Sequence, residues 1–298
     1  MNYEELFLRI DRHKRVAEGQ VRVMEYERQG EKRWVCEEKD HVQVFLYKEA
    51  MLAYLDLYFG QEQGQWDDRM LVQDCIVLMY SDRDELDKED YALIKSLERG
   101  YRGKKKWPQL RRARPYRVPW GLSVEDVQEL GAALDVLRGD AEGTEIAADS
   151  CEPAPLHMPA AELNNELLVA RFKRLEPSDT VWDVTVQAFP FPSRKDGDEF
   201  SAPYCPLMLM AVDEKTDQVL CLAVETTDKP DCTRILAQEL IAEGMKTGVR
   251  PRLVRCANAQ AKNVLDGVFA ALGVKTELQP DVPQLAEAFE SLLNFAGN

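Results

Sequence analysis

The chain has 298 residues, 45% of them hydrophobic, with 38 Lys and Arg against 53 Asp and Glu, a formal charge of −15. That length favours two domains over one, the apolar content supplies both with cores, and the charge repels polyanions except where basic residues gather locally. The first residues are acidic, no apolar run approaches the roughly 18–20 residues of a membrane span, and seven scattered cysteines argue against a disulfide framework, so a cytoplasmic, reducing setting is expected.

Asn2 and Glu5 are placed to cap an opening helix through Leu6 and Ile10. Residues 20–26, 33–37 and 42–46 read as short strands separated by charged turns. Tyr47, Ala50, Met51, Tyr54, Leu55 and Tyr58 then recur at helical spacing, which predicts a helix with an aromatic face. Residues 71–80 form an apolar run, expected as a buried central strand. Asp87 caps a helix carrying Tyr91, Ile94, Leu97 and Tyr101, and a Pro-punctuated extended segment covers 107–120. Ser123, with Asp126 three residues on, opens a helix through Val127, Leu130, Leu134 and Leu137 that stops at Arg138-Gly139. Residues 139–160, with Pro153, Pro155 and Pro159 and little periodicity, are expected to link a domain at 1–138 to one at 161–298.

Beyond the linker, 181–189 alternates as a strand, and 207–212 and 218–224 flank Asp213-Glu214-Lys215-Thr216-Asp217 as a hairpin. A helix places Leu236, Ala237, Leu240 and Ile241 on one side, and a strand follows at 253–257. Ala261, Val264, Leu265, Val268, Phe269 and Leu272 mark a helix ending at Gly273, then come a strand at 274–278 and a helix from Pro283 through Leu285, Phe289 and Leu292. The expected class is α+β in two domains, the C-terminal one a small mixed sheet with helices.

Read this way, the chain resembles a family of bacterial two-domain proteins. The N-terminal likeness lies in DCIVLMYSDRDELDKEDYALIKSLERGYRGKKKWPQLRRARPYRVPWGLSVEDV, where a Trp-Pro-x-Leu-Arg segment leads into Pro-Trp. The C-terminal likeness lies in PYCPLMLMAVDEKTDQVLCLAV, GVRPRLVRCAN and LGVKTELQPDVPQL. Both regions of that family are domains of unknown function, so the resemblance implies a domain layout and a bacterial cytoplasmic setting, and transfers no catalytic residue.

The basic-aromatic segment is the candidate site. Residues 99–117 hold nine basic residues and no acid: Arg99, Arg102, Lys104, Lys105, Lys106, Arg111, Arg112, Arg114 and Arg117, interleaved with Tyr101, Trp107, Tyr116 and Trp120. Such residues neutralise phosphates and stack on bases, which suits an anion or nucleic-acid contact built from Arg102, Lys104, Lys105, Lys106, Trp107, Arg111, Arg112, Arg114 and Arg117. The preferred reading is structural: in so acidic a chain, the segment lies across the protein's own carboxylates.

A strand, a hairpin, a helix and a strand also resemble the first half of the ribonuclease-H-like fold, whose enzymes converge carboxylates on two metal ions. Asp183 sits on the candidate first strand, but Glu239 falls opposite Leu236 and Leu240, and the residue after the later strand is Asn258. A degenerate, inactive version is expected. The acids from Asp82 to Asp90 lack calcium-loop spacing, and Cys221, Cys232 and Cys256 fit no zinc pattern with His13, His41 or His157. Neither a P-loop nor a dinucleotide fingerprint occurs. With no catalytic, cofactor or metal residue to name, the expected function is a non-enzymatic binding or adaptor protein with a protein partner. Nucleic-acid binding is the alternative, and no membrane is involved.

Overall fold

The computed structural model describes residues 1–59, 72–152, 154, 158–189, 191–194, 202–227, 229 and 231–296. Pro153, Pro155, His157 and the start of the strand expected at 71–80 lie outside them. The chain divides into two compact units, Met1–Leu156 and His157–Asn298.

The first unit opens with helix α1 (Tyr3–Arg12), capped where the Asn2 side chain accepts the Glu5 N–H at 2.9 Å. Strands β1 (Arg22–Arg28), β2 (Glu31–Glu38) and β3 (His41–Phe45) form an antiparallel meander. Its first turn is Gln29-Gly30, both at positive φ (53° and 79°), the geometry of a two-residue hairpin matched to strand twist. Helix α2 (Lys48–Phe59), β4 (Cys75–Ser81), α3 (Lys88–Ser96), β5 (Trp107–Ala113), α4 (Val124–Arg138) and β6 (Thr144–Ile146) follow. The sheet order is β5-β4-β3-β2-β1-β6, antiparallel throughout.

Strand alternation sorts the residues between two cores. Met24, Tyr26, Val35, Val42, Val44, Ile76 and Leu78 pack with Leu6, Phe7 and Ile10 of α1 and Leu130 and Leu134 of α4. Val23, Trp34, Cys36, Phe45 and Cys75 on the other face meet Ala50, Met51 and Leu55 of α2. The segment expected as a linker contributes β6, which pairs with β1, and the division between units falls after it. Three residues with one apolar side chain carry too little pattern to announce a strand.

In the second unit, α5 (Glu166–Lys173) precedes β7 (Val181–Ala188), β8 (Leu207–Asp213) and β9 (Gln218–Glu225). Then α6 (Cys232–Thr247), β10 (Leu253–Cys256), α7 (Ala259–Leu272), β11 (Lys275–Leu278) and α8 (Pro283–Ala296) alternate. The order is β11-β10-β7-β8-β9. β7, β8 and β9 are antiparallel, whereas β10 runs parallel to β7, and β11 to β10. Parallel neighbours need crossovers, supplied by α6 and α7.

β7 is covered on both faces. Trp182 stands edge-on to Phe172 of α5 and Phe269 of α7, with ring centroids 6.4 Å away in each case. Gly244 of α6 admits that indole: a Cβ there would lie 2.6 Å from Trp182 and 2.8 Å from Phe172. On the opposite face Met208, Met210 and Val212 pack under Leu285, Phe289 and Leu292 of α8. Helix α5 was not expected from sequence. Of its eight residues only Phe172 is buried, and Leu167 is 69% exposed, so no apolar stripe betrays it.

Candidate functional site

The basic segment meets the chain's own acids. Arg99 pairs with Asp11, whose Oδ1 also accepts the Tyr101 hydroxyl at 2.8 Å. Lys105 donates from Nζ to Glu85 at 2.7 Å and from its backbone N–H to Asp82 at 2.6 Å. Arg111 grips both oxygens of Asp90, each at 2.6 Å, and reaches Asp87 at 2.5 Å. Burial works against the Asp90 carboxylate, yet the Arg111 fork, the Gln109 amide and Asp87 together hold the pKa below its ordinary value. Arg112 is buried between Asp74 and Asp126, and donates to the Cys75 carbonyl at 3.0 Å.

Trp107 and Tyr116 are buried, so neither ring is open for stacking. Arg102, Lys104 and Lys106 are exposed on the turn before β5, and Arg114 is exposed just past its far end. None of these four joins an ion pair among the described residues. Arg117 is half-buried. At about 3.3 Å per residue, β5 holds Arg114 roughly 25 Å from Lys106. The nine charges of residues 99–117 thus divide into four turned inward, three on an exposed turn, the distant Arg114 and the half-buried Arg117.

Four acids between Asp82 and Asp90, namely Asp82, Glu85, Asp87 and Asp90, are likewise engaged. Glu85 accepts the Asp82 N–H at 2.7 Å, Asp87 caps α3 through the Asp90 N–H at 2.8 Å, and Glu85 and Asp90 take Lys105 and Arg111.

In the second unit Asp183 is fully buried on β7, and its register partner on β10 is Arg255. The guanidinium takes both carboxylate oxygens, Nε to Oδ1 at 2.5 Å and Nη2 to Oδ2 at 2.7 Å, while Nη1 reaches Glu214 at 2.9 Å. Asn258, at the end of β10, donates to Thr185 Oγ1 at 3.0 Å and the Val186 carbonyl at 3.1 Å, and caps α7 by accepting the Ala261 N–H at 2.7 Å. Glu239 is exposed on α6. A fixed cation therefore already holds the Asp183 carboxylate. Among the described residues, no group of three or more His, Cys, Asp or Glu is placed to hold a metal ion.

The seven cysteines are free thiols. Burial pushes Cys221 and Cys256 up to about 12, which suits packing and not nucleophilic attack. His13 is committed elsewhere: Nδ1 lies 3.1 Å from the Tyr80 hydroxyl, and Nε2 lies 2.9 Å from Glu37 Oε1, close but off-line for a straight hydrogen bond.

One group escapes sequence reasoning. Glu38, the last residue of β2, is half-buried and accepts the Tyr54 hydroxyl of α2. The Tyr58 ring lies 6.4 Å from that of Tyr54 and is 37% exposed. Burial raises the Glu38 carboxyl to about 7, and burial together with Glu38 raises the Tyr58 phenol. Among the described residues, no Lys or Arg pairs with Glu38. The half-buried acids Asp40, Glu129, Asp74 and Asp135 and the buried Asp90 and Asp126 each have an arginine. The aromatic face of α2 was legible in the sequence, but nothing in it brings Glu38 to that face.

Two sheets, each with its own core and with its buried acids mostly neutralised from within, define a tandem α/β protein. Residues 37–142 match the family model Domain of unknown function (DUF7309), and residues 168–293 match Domain of unknown function (DUF6930). The two matches lie in tandem along the chain. No curated protein matches it. Among solved structures, the crystal structure of the Mos1 strand transfer complex is similar at 12% identity and a TM-score of 0.22, over 79% of this chain and 58% of that one. The chain thus spans less than two thirds of that protein's length, and so loose a superposition carries no argument about fold or function.

Proposed function

We propose that this is a non-enzymatic binding or adaptor protein of a reducing, cytoplasmic compartment, with a protein as its partner. The observation that carries the reading is the Asp183–Arg255–Glu214 cluster. Counted along the chain, the C-terminal strands lie in the order 3-2-1-4-5, with the first three antiparallel and the last two parallel. This is the ordering of a ribonuclease-H-like sheet, and Asp183 lies on its first strand. Metal-assisted cleavage would require that carboxylate to coordinate a cation at the moment of reaction. Here a guanidinium already forks onto it, and freeing a buried carboxylate from such a fork costs several kcal/mol, of order 3–5. The unit is then a degenerate member whose sheet serves as scaffold. Incubating the chain with a single-stranded oligonucleotide and Mg²⁺ or Mn²⁺ tests this. No cleavage is expected, and cleavage that Asp183→Asn abolishes would contradict the reading.

A second reading is favoured by one observation, the exposed turn bearing Arg102, Lys104 and Lys106. It takes this turn as a nucleic-acid or other polyanion contact, narrower than the nine-residue composition suggests. Three phosphate contacts give a log–log salt slope of about −2 to −3. Fluorescence anisotropy should show that slope for a labelled oligonucleotide, and binding unaffected by reversing all three charges to Glu would dispose of it.

A further inference from the structure

Glu38 is a half-buried acid with no Lys or Arg pair among the described residues, unlike the half-buried Asp40, Glu129, Asp74 and Asp135, which each have an arginine. It closes β2, where its strand partner across the turn is His41, and it lies against α2 with the Tyr54 hydroxyl donating to it. The wall beneath is fixed: Phe45 is fully buried, and its ring lies 5.6 Å from that of Tyr54. Tyr58 stands beside Tyr54 with its plane tilted by 33°, and Phe59 braces it edge-on at 5.1 Å. Both Tyr58 and Phe59 remain more than a third exposed, at 37% and 48%.

A carboxylate beside tilted tyrosine faces offers an organic cation two attractions at once. The ring quadrupoles draw the positive charge and the carboxylate neutralises it. The carboxyl's own condition agrees, since burial works against its charge and no internal cation offsets that. A cation arriving from outside supplies the missing counter-charge. The chain's net charge of −15 steers positively charged groups toward it.

We propose that Glu38, Tyr54 and Tyr58 form a receiving site for the ammonium or guanidinium end of a lysine or arginine side chain carried by a partner protein. This rests on the binding-protein reading above and gives that partner a chemistry. Tyr54 orients the carboxylate, Glu38 meets the cation, and Tyr58 covers it from the solvent side.

The test uses the full chain with ¹³C-labelled tyrosine, observed by NMR at low salt. Three probes are added in turn: a short capped peptide with one lysine or arginine between glycines, the same peptide with glutamine, and tetramethylammonium chloride. Signals of Tyr54 and Tyr58, assigned through Tyr54→Phe and Tyr58→Phe, should move with the lysine or arginine peptide and stay still with the glutamine peptide. Glu38→Gln keeps an oxygen for the Tyr54 hydroxyl but no charge, and should weaken binding about tenfold. Tyr58→Leu changes an exposed ring and should weaken it several-fold in a chain whose thermal unfolding is otherwise preserved. Unmoved Tyr54 and Tyr58 signals, or equal affinity in Glu38→Gln, would overturn the site. So would binding of tetramethylammonium without the peptides, which would place a small cation where a side chain is proposed. Peptide binding reported only by other tyrosines would remove this site and leave the binding-protein reading standing, whereas metal-dependent cleavage would remove the reading itself.

Discussion

Buried acids in this molecule are settled one residue at a time, by partners far away in sequence. Asp183 and Arg255 are 72 positions apart, Arg9 and Asp135 are 126 apart, and both pairs form because strands or helices bring them into register. Glu38 is one that no Lys or Arg among the described residues settles. Its folded pKa is about 7 against an ordinary 4.5, so the folded chain holds this proton more tightly than the unfolded one. The stability it contributes is full below pH 4.5 and lost as pH rises through 7. Glu38→Gln cannot ionise and escapes that loss. Thermal unfolding from pH 5 to 8 should therefore show the variant gaining on the wild type as pH rises, and a difference that stays flat would contradict the assignment.

Helices and strands explain which features were legible in advance. Long periodic elements were plain: the apolar spacing of α4 and α7, the Ser123 capping box and the hairpin around Asp213 to Asp217 all appear where the pattern places them. Helix α5 and strand β6 were missed because neither buries a stripe. The basic segment was visible as composition, but its partners were not. Asp11, Asp74 and Asp126 reach Arg99 and Arg112 only through tertiary packing, and no local period encodes that. Close packing constrains α6 against Trp182. Gly244→Ala drives a methyl to within 2.6 Å of Trp182 and should cost about 1–3 kcal/mol in denaturant unfolding. Gly267→Ala on the neighbouring α7 meets nothing within 4 Å and should stabilise by about 0.5–1 kcal/mol. Equal effects at the two glycines would show that the Trp182 contact does not constrain α6.

For the molecule as a whole, two domains of unknown function occur in tandem on a chain of −15 charge, and its buried carboxylates are largely neutralised by its own arginines. That organisation suits a scaffold that presents surfaces to a partner, with Glu38 left open to a charge from outside. Arg255 occupies Asp183 and so makes it unavailable to a metal. Calorimetric titration of Mn²⁺ into the wild-type chain, with Asp183→Asn as reference, tests it most directly. Identical traces are expected, with no stoichiometric binding attributable to Asp183. A one-to-one site present in the wild type and absent in Asp183→Asn would contradict it.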